Sequence, residues 1–230
     1  MASAATYSTK YVNNALREWA EVVNRDYNHP SIIAWVPLNE SWAVSEINHN
    51  TKQQHHAVSL YHYLKSIDST RLIVNNDGWE LTVTDICAIH NYNHGNEHEI
   101  DKKTYFRESL STVDKVLKSQ PAGRPIYAGA FKYQNEPILL TEFGGIGFQK
   151  DQQIGWGYTS VGTKADFLEQ LNRILEDVCA SPVIFGFCYT QLYDVEAEIN
   201  GLLTYDRRLK AEQGEIAEIF TKFHKNEASE

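Results

Sequence analysis

Basic charge is scarce in this chain: 21 Lys and Arg stand against 30 Asp and Glu, a formal net charge of −9. Phosphate binding needs a basic face, so nucleic acid is excluded as a partner. Cysteine is scarce too. Cys87, Cys179 and Cys188 are odd in number and cannot form a paired framework. Cys87 and Cys188 lie in apolar, strand-like runs and read as small buried hydrophobes. No run approaches the roughly 18 apolar residues of a membrane helix. The opening Met1-Ala2-Ser3-Ala4-Ala5 has no basic region and no apolar core, so it does not read as a signal peptide, and a cytoplasmic location is expected. Repeats, linkers and low-complexity tracts are missing as well.

What is present is aromatic and alternating. The 13 Tyr and 5 Trp serve mainly as core, although aromatic faces also stack on sugar rings. A chain of 230 residues can bury one sizeable α/β core. Apolar periodicity predicts a helix over 9–26, with Leu16, Trp19, Ala20 and Val23 in phase. Further helices are predicted near 51–67 (Val58, Tyr61, Leu64 and Lys65 in period), 104–118 (Phe106, Leu110, Val113 and Leu117 on one face), 163–179 and 211–224. Between them lie apolar runs at 32–37, 72–74, 86–89, 138–140 and 183–187. Strand alternating with helix predicts a parallel sheet. The segment 143–162 holds six glycines and Trp156, and reads as a long loop that could close over a site.

Two of the runs share one grammar. In NHPSIIAWVPLNESW, Asn28 to Trp42, prolines bracket Ile32-Ile33-Ala34-Trp35-Val36, and the polar pair Asn39-Glu40 follows. Apolar residues without alternation suit a strand covered on both faces. In EPILLTEFGG, Glu136 to Gly145, Ile138-Leu139-Leu140 leads to Thr141-Glu142 and a glycine pair. A carboxylate just past the carboxyl end of a parallel strand is where α/β barrels place their chemistry. Two such glutamates are what glycoside hydrolysis needs: one protonates the leaving oxygen, the other attacks the anomeric carbon or activates water.

These two motifs, with IHNY at 89–92 and CYTQLYD at 188–194, resemble the catalytic barrel of family 2 glycoside hydrolases, the β-galactosidase, β-glucuronidase and β-mannosidase relatives. The resemblance runs from about residue 8 to about residue 210. It implies a TIM (β/α)8-type glycosidase barrel that is incomplete here, with strands 4 to 8 and their flanking helices. The first three strands and the amino-terminal sandwich domains are expected to be absent, leaving residues 1–230 as one catalytic barrel domain or a fragment of one.

The resemblance also implies roles. Glu40 is the expected general acid/base, with Trp42 or Trp35 as an apolar neighbour to keep it protonated near neutral pH. Glu142 is the expected nucleophile, with Tyr92 beside it. Asn39 is expected on the sugar 2-OH and His90 on sugar hydroxyls. Trp79, Tyr189 and Asp194 are expected to line the pocket, and Gly144 and Gly145 to let the backbone approach the sugar. His94 and His98, with Glu97 and Glu99, match no structural zinc spacing, so neither metal nor cofactor is expected.

The expected activity is retaining hydrolysis of terminal β-linked sugars, with a slight tilt to a neutral sugar such as galactose, because no asparagine-lysine pair marks a glucuronate pocket. Two alternatives remain: a catalytically silent barrel fragment, and a carbohydrate-binding scaffold. The exposed strand edges of an open barrel would be covered by a second copy or by the missing barrel half.

Overall fold

A computed structural model describes residues 6–149 and 155–222. The chain divides into two compact units. One comprises the described chain up to His90 together with Leu117–Thr141; the other comprises Asn91–Val116 and the chain from Glu142 onward.

In the first unit, helix α1 (Thr9–Asp26) starts at Ser8, whose side chain accepts from the Tyr11 N–H. Helix α2 (Thr51–Ile67) starts at Asn50, which accepts from Lys52 and Gln53. Such caps satisfy backbone donors that have no partner inside the helix. The buried face of α2 is Gln53, His56, Ala57, Leu60 and Leu64, rotated from the face expected around Val58 and Tyr61. Leu60 and Ala57 join Leu38, Val44, Ile47 and Ala128 in one apolar cluster, and Trp19 packs on it from α1.

Strands β1 (Ala34–Trp35) and β2 (Leu72–Ile73) pair in parallel, Ala34 with Leu72 and Trp35 with Ile73. Their approach is clamped by Asp68. It accepts from Trp35 Nε1 at 2.9 Å and Arg71 Nη1 at 2.7 Å, while Arg71 Nε donates to Ile32 O at 2.8 Å. Burial pulls the Asp68 carboxyl upward, but hydrogen bonds from Thr70, Trp35 and Arg71 overcome that and hold it well below the usual carboxylate range. The expectation that the 32–37 run is covered on both faces does not hold, since Ile33 is 81% exposed while Trp35 is buried. Beside β3 (Cys87–His90) lies the start of β4 (Ile138–Gly144), with Cys87 N–H donating to Pro137 O. Cys87 is buried as expected, and burial pushes its thiol up to about 12.

Strand β4 carries the chain into the second unit, where its end neighbours β7 (Ile184–Thr190). Two further short strands, β5 (Ile146–Phe148) and β6 (Thr159–Val161), pair in parallel, Ile146 with Thr159. The segment read as one loop thus contains the end of β4 and both of these strands, and residues 150–154 lie outside the described residues. Helix α5 (Lys164–Cys179) is capped by Thr163 and packs Phe167, Leu171, Ile174 and Val178 inward. Phe148 stacks on Phe167. The helix expected over 104–118 is two: α3 (Ile100–Ser109) and α4 (Val113–Lys118), because Thr112 Oγ1 accepts from Lys115 N–H and restarts the helix. Helix α6 (Gln213–Lys222) falls where the last helix was expected, whose final two residues lie outside the described ones. Cys188 is exposed, against the reading of a buried hydrophobe.

No sheet among the described residues has more than three strands, so the eight-stranded ring of a TIM barrel is not closed. No helix among them is long and apolar enough to cross a membrane.

Candidate functional site

Each unit carries one of the two strand-end glutamates, and each glutamate is held differently. In the first unit the chains leaving β1 and β2 stay in register, with a parallel bridge between Asn39 and Asp77. Asp77 N–H donates to Leu38 O at 2.9 Å, and Glu40 N–H to Asp77 O at 2.8 Å. Glu40 and Ser41 take left-handed backbone, φ 50° and 58°, which costs on the order of 1–3 kcal/mol each. A buried network offsets that cost. Ser41 Oγ donates to Glu80 Oε2 at 2.6 Å, Asn76 Nδ2 donates to Ser41 Oγ at 2.9 Å, and Arg124 Nη1 donates to Glu80 Oε2 at 2.9 Å.

The Glu40 carboxylate meets two side chains. His90 Nδ1 is 2.8 Å from Oε1, and Trp42 Nε1 donates to Oε2 at 3.1 Å. Trp42 is exposed and acts as a hydrogen-bond donor, not the expected apolar cover, and the Trp35 indole is directed to Asp68. His90 has no exposed side-chain surface, so its expected contact with sugar hydroxyls is replaced by a bridging position: Nε2 lies 3.3 Å from Asp77 Oδ1. Thr141 Oγ1 donates to the same Asp77 oxygen at 2.6 Å. The Trp79 ring lies edge-on to His90 at 5.8 Å. Gly78, φ 103°, makes room for the imidazole, since a Cβ there would fall 2.7 Å from His90 Nδ1. Asn39 is exposed beside this group.

In the second unit Tyr92 Oη donates to Glu142 Oε2 at 2.6 Å, and Asn91 N–H donates to Glu142 O at 3.0 Å. Burial first, and then the Glu142 charge, push the Tyr92 phenol far above its ordinary range, so it keeps the proton that it donates to Glu142. The Tyr158 ring lies flat on Tyr92, with centroids 3.5 Å apart and planes 3° apart.

The glycines after Glu142 leave room for side chains of the chain itself. A Cβ at Gly144 would fall 2.3 Å from Tyr189 Cε2, and one at Gly145 would fall 2.4 Å from Tyr158 Cδ2. Tyr189 packs edge-on to Phe143 at 5.7 Å and to Phe220 at 6.3 Å. Asp194 is buried and accepts from Lys210 Nζ at 2.7 Å and Gly201 N–H at 2.8 Å, which makes it an internal ion pair where a pocket wall was expected. His94 is buried between carbonyl oxygens, with Nε2 2.5 Å from Gly144 O and Nδ1 3.1 Å from Gly95 O; burial lowers its pKa. His98 is exposed beside Glu97.

The sequence reading therefore named Glu40, His90, Trp79 and Asn39, which come together in one unit, and Glu142 and Tyr92, which come together in the other. It gave Asp77 and Tyr158 no role. Asp77 stood in the Asn75-Asn76-Asp77-Gly78-Trp79 segment after β2, and Tyr158 in the glycine-rich segment, but nothing in their spacing gave them a partner.

The chain matches, over residues 1–225, the family described as "Glycosyl hydrolases family 2, TIM barrel domain". Among solved structures it is similar to the β-D-glucuronidase of Dictyoglomus thermophilum, with a TM-score of 0.64 at 17% identity, over 94% of this chain and 36% of that one. It is also similar to the β-glucuronidase of Faecalibacterium prausnitzii, with a TM-score of 0.61 at 16% identity, over 93% and 35%. The β-glucuronidase of Ruminococcus gnavus in complex with uronic isofagomine gives 0.63 at 18% identity, over 93% and 35%. No curated protein matches. The chain thus spans about a third of the length of the structures it resembles.

Proposed function

The chain belongs to family 2 of the glycosyl hydrolases, as TIM barrel domain, and from that premise we propose that it serves retaining hydrolysis of terminal β-linked sugars, with Glu142 as nucleophile and Glu40 as general acid/base. The observation that carries the reading is the contrast between the partners of the two carboxylates. Glu142 accepts from a phenol that does not release its proton, which suits a carboxylate that must stay ionised to attack. Glu40 is held between Trp42 Nε1 and a wholly buried imidazole that also faces Asp77, a fixed strand-end carboxyl group that suits a residue placed to transfer a proton.

In the proposed cycle Glu40 protonates the leaving oxygen while Glu142 attacks the anomeric carbon and forms a glycosyl ester. Water activated by Glu40 then hydrolyses the ester. Asn39 holds the sugar 2-OH. Retention requires the two carboxyl groups to work about 5–5.5 Å apart on one glycosidic bond. The sugar we propose is galactose, with glucuronate as the competing substrate; likeness at 16–18% identity supports the fold and not the sugar.

A second reading, a silent part of a larger barrel, is favoured by one observation: Ile33 on the β1 run is 81% exposed and Phe185 on β7 is 76% exposed. Strand residues of a complete barrel are covered on both faces. A second copy, or the rest of the barrel, is the partner we propose for these surfaces.

Turnover of aryl β-galactoside, glucuronide, mannoside and glucoside, with Glu142→Gln as control, separates the readings. Hydrolysis of one sugar, lost in the variant, supports the enzyme. Equal activity in the variant removes Glu142 from its role. Folded protein without turnover of any sugar favours the silent reading.

A further inference from the structure

Beyond the nucleophile, the second unit carries an aromatic corner to which the two-glutamate chemistry gives no task. Tyr158 lies flat on Tyr92 with one ring face, while 47% of the residue stays exposed. Trp156, 45% exposed, stands against Tyr158 with centroids 5.5 Å apart and planes at 72°. The two rings make a floor and a wall.

The corner is fixed by backbone on both sides. Trp156 N–H donates to Ala197 O at 2.8 Å and Trp156 O accepts from Ile199 N–H at 3.0 Å, while Tyr158 N–H donates to Gly145 O at 2.8 Å. Gly145 keeps φ 61° with no room for a Cβ, because Tyr158 occupies that space. Both rings are partly exposed and stand one ring away from the side chain that touches Glu142. A preformed pair of ring faces at a steep angle fits another planar or pyranose ring, stacking on one face and meeting the edge of the other.

We propose that Trp156 and Tyr158 form a ring-stacking subsite beside the Tyr92–Glu142 pair that takes an aromatic or sugar ring carried by the ligand. The assignment rests on the reading of Glu142 as the reacting carboxylate for its catalytic meaning, but its binding content is independent. Stacking on such a corner raises affinity about tenfold over a ligand that lacks the ring.

The test measures binding of phenyl and methyl 1-thio-β-galactosides and 1-thio-β-glucuronides, together with free p-nitrophenol, to the 230-residue chain by calorimetry and tryptophan fluorescence. The expected result is about a tenfold preference for the phenyl ligand, or detectable binding of p-nitrophenol alone. It should fall to about twofold or less in Tyr158→Ala and Trp156→Ala, and be kept in Tyr158→Phe. A preference unchanged in both alanine variants overturns the proposal, as does the absence of binding of any phenyl probe to folded protein. Aryl glycoside turnover reports separately on the glutamates. Turnover without aryl preference removes the subsite and leaves the enzyme, and p-nitrophenol binding lost in Tyr158→Ala without turnover does the reverse.

Discussion

The surroundings of Glu40 and of Glu142 differ more than the two sequence motifs suggest. Around Glu40 the chain builds outward from backbone: left-handed φ at two residues, a buried Ser41–Asn76–Glu80–Arg124 network, and a wholly buried imidazole held between Glu40 and Asp77. Around Glu142 it builds from rings: a phenol on the carboxylate and a second ring flat on the phenol. A residue that exchanges a proton needs a partner that can share it, and one that must remain an anion needs donors that cannot.

The largest expected effect breaks the comparison outright. Glu142→Gln should lower kcat at least about thousandfold for every leaving group, because no covalent step survives. Glu40→Gln should cost about a hundredfold to ten-thousandfold for poor leaving groups and far less for a dinitrophenyl glycoside, which needs little protonation. Equal losses on both substrate types would contradict its role as acid. A smaller effect sharpens the contrast: Tyr92→Phe removes a hydrogen bond to a charged group, and kcat should fall about tenfold to a hundredfold. The readout is kcat at saturating aryl glycoside, with an unchanged melting curve as the check on fold.

A separate effect, on stability and not on kcat, guards against misreading acid inactivation as active-site titration. His56 is buried against the rings of Tyr7 and Tyr11, and burial lowers its pKa to about 4. The unfolded chain holds the proton from about pH 6.5 downward, the folded chain only near pH 4, so the unfolded state binds more protons in between. Stability is therefore full above about pH 6.5 and is lost as pH falls toward 4, by roughly 2–3 kcal/mol from this group. Urea unfolding at pH 7 and pH 4.5 should show the loss, and His56→Leu should flatten it. A slope unchanged in the variant would assign the loss elsewhere.

Much of this was legible in the sequence, and the failures have physical causes. The positions of five strands and the two strand-end glutamates were readable because proline brackets, apolar runs and terminal polar pairs are local signals, while the division into separate sheets was not. Tyr92 beside Glu142 followed from the resemblance. The break at Ser111-Thr112 was hidden because Phe106, Leu110 and Val113 stay in helical phase across it, while a threonine cap ends the register. Strands β5 and β6 were hidden because strands of three residues are too short to show apolar periodicity, and glycines flank both. His90 could not be placed from sequence: its position between Glu40 and Asp77 depends on residues 50 and 13 positions away and on the space left by Gly78. Asp194 was misjudged for the same reason, its partner Lys210 lying 16 residues on.

The central claim is that Glu142 forms a glycosyl ester. Incubation with 2-deoxy-2-fluoro-β-galactosyl and glucuronyl fluorides, followed by intact-mass measurement and peptide mapping, tests it most directly. The account predicts one added glycosyl group, carried by the peptide containing Glu142 and absent from Glu142→Gln. Turnover of the parent aryl glycoside with no ester on Glu142, and a product of inverted configuration, would contradict it.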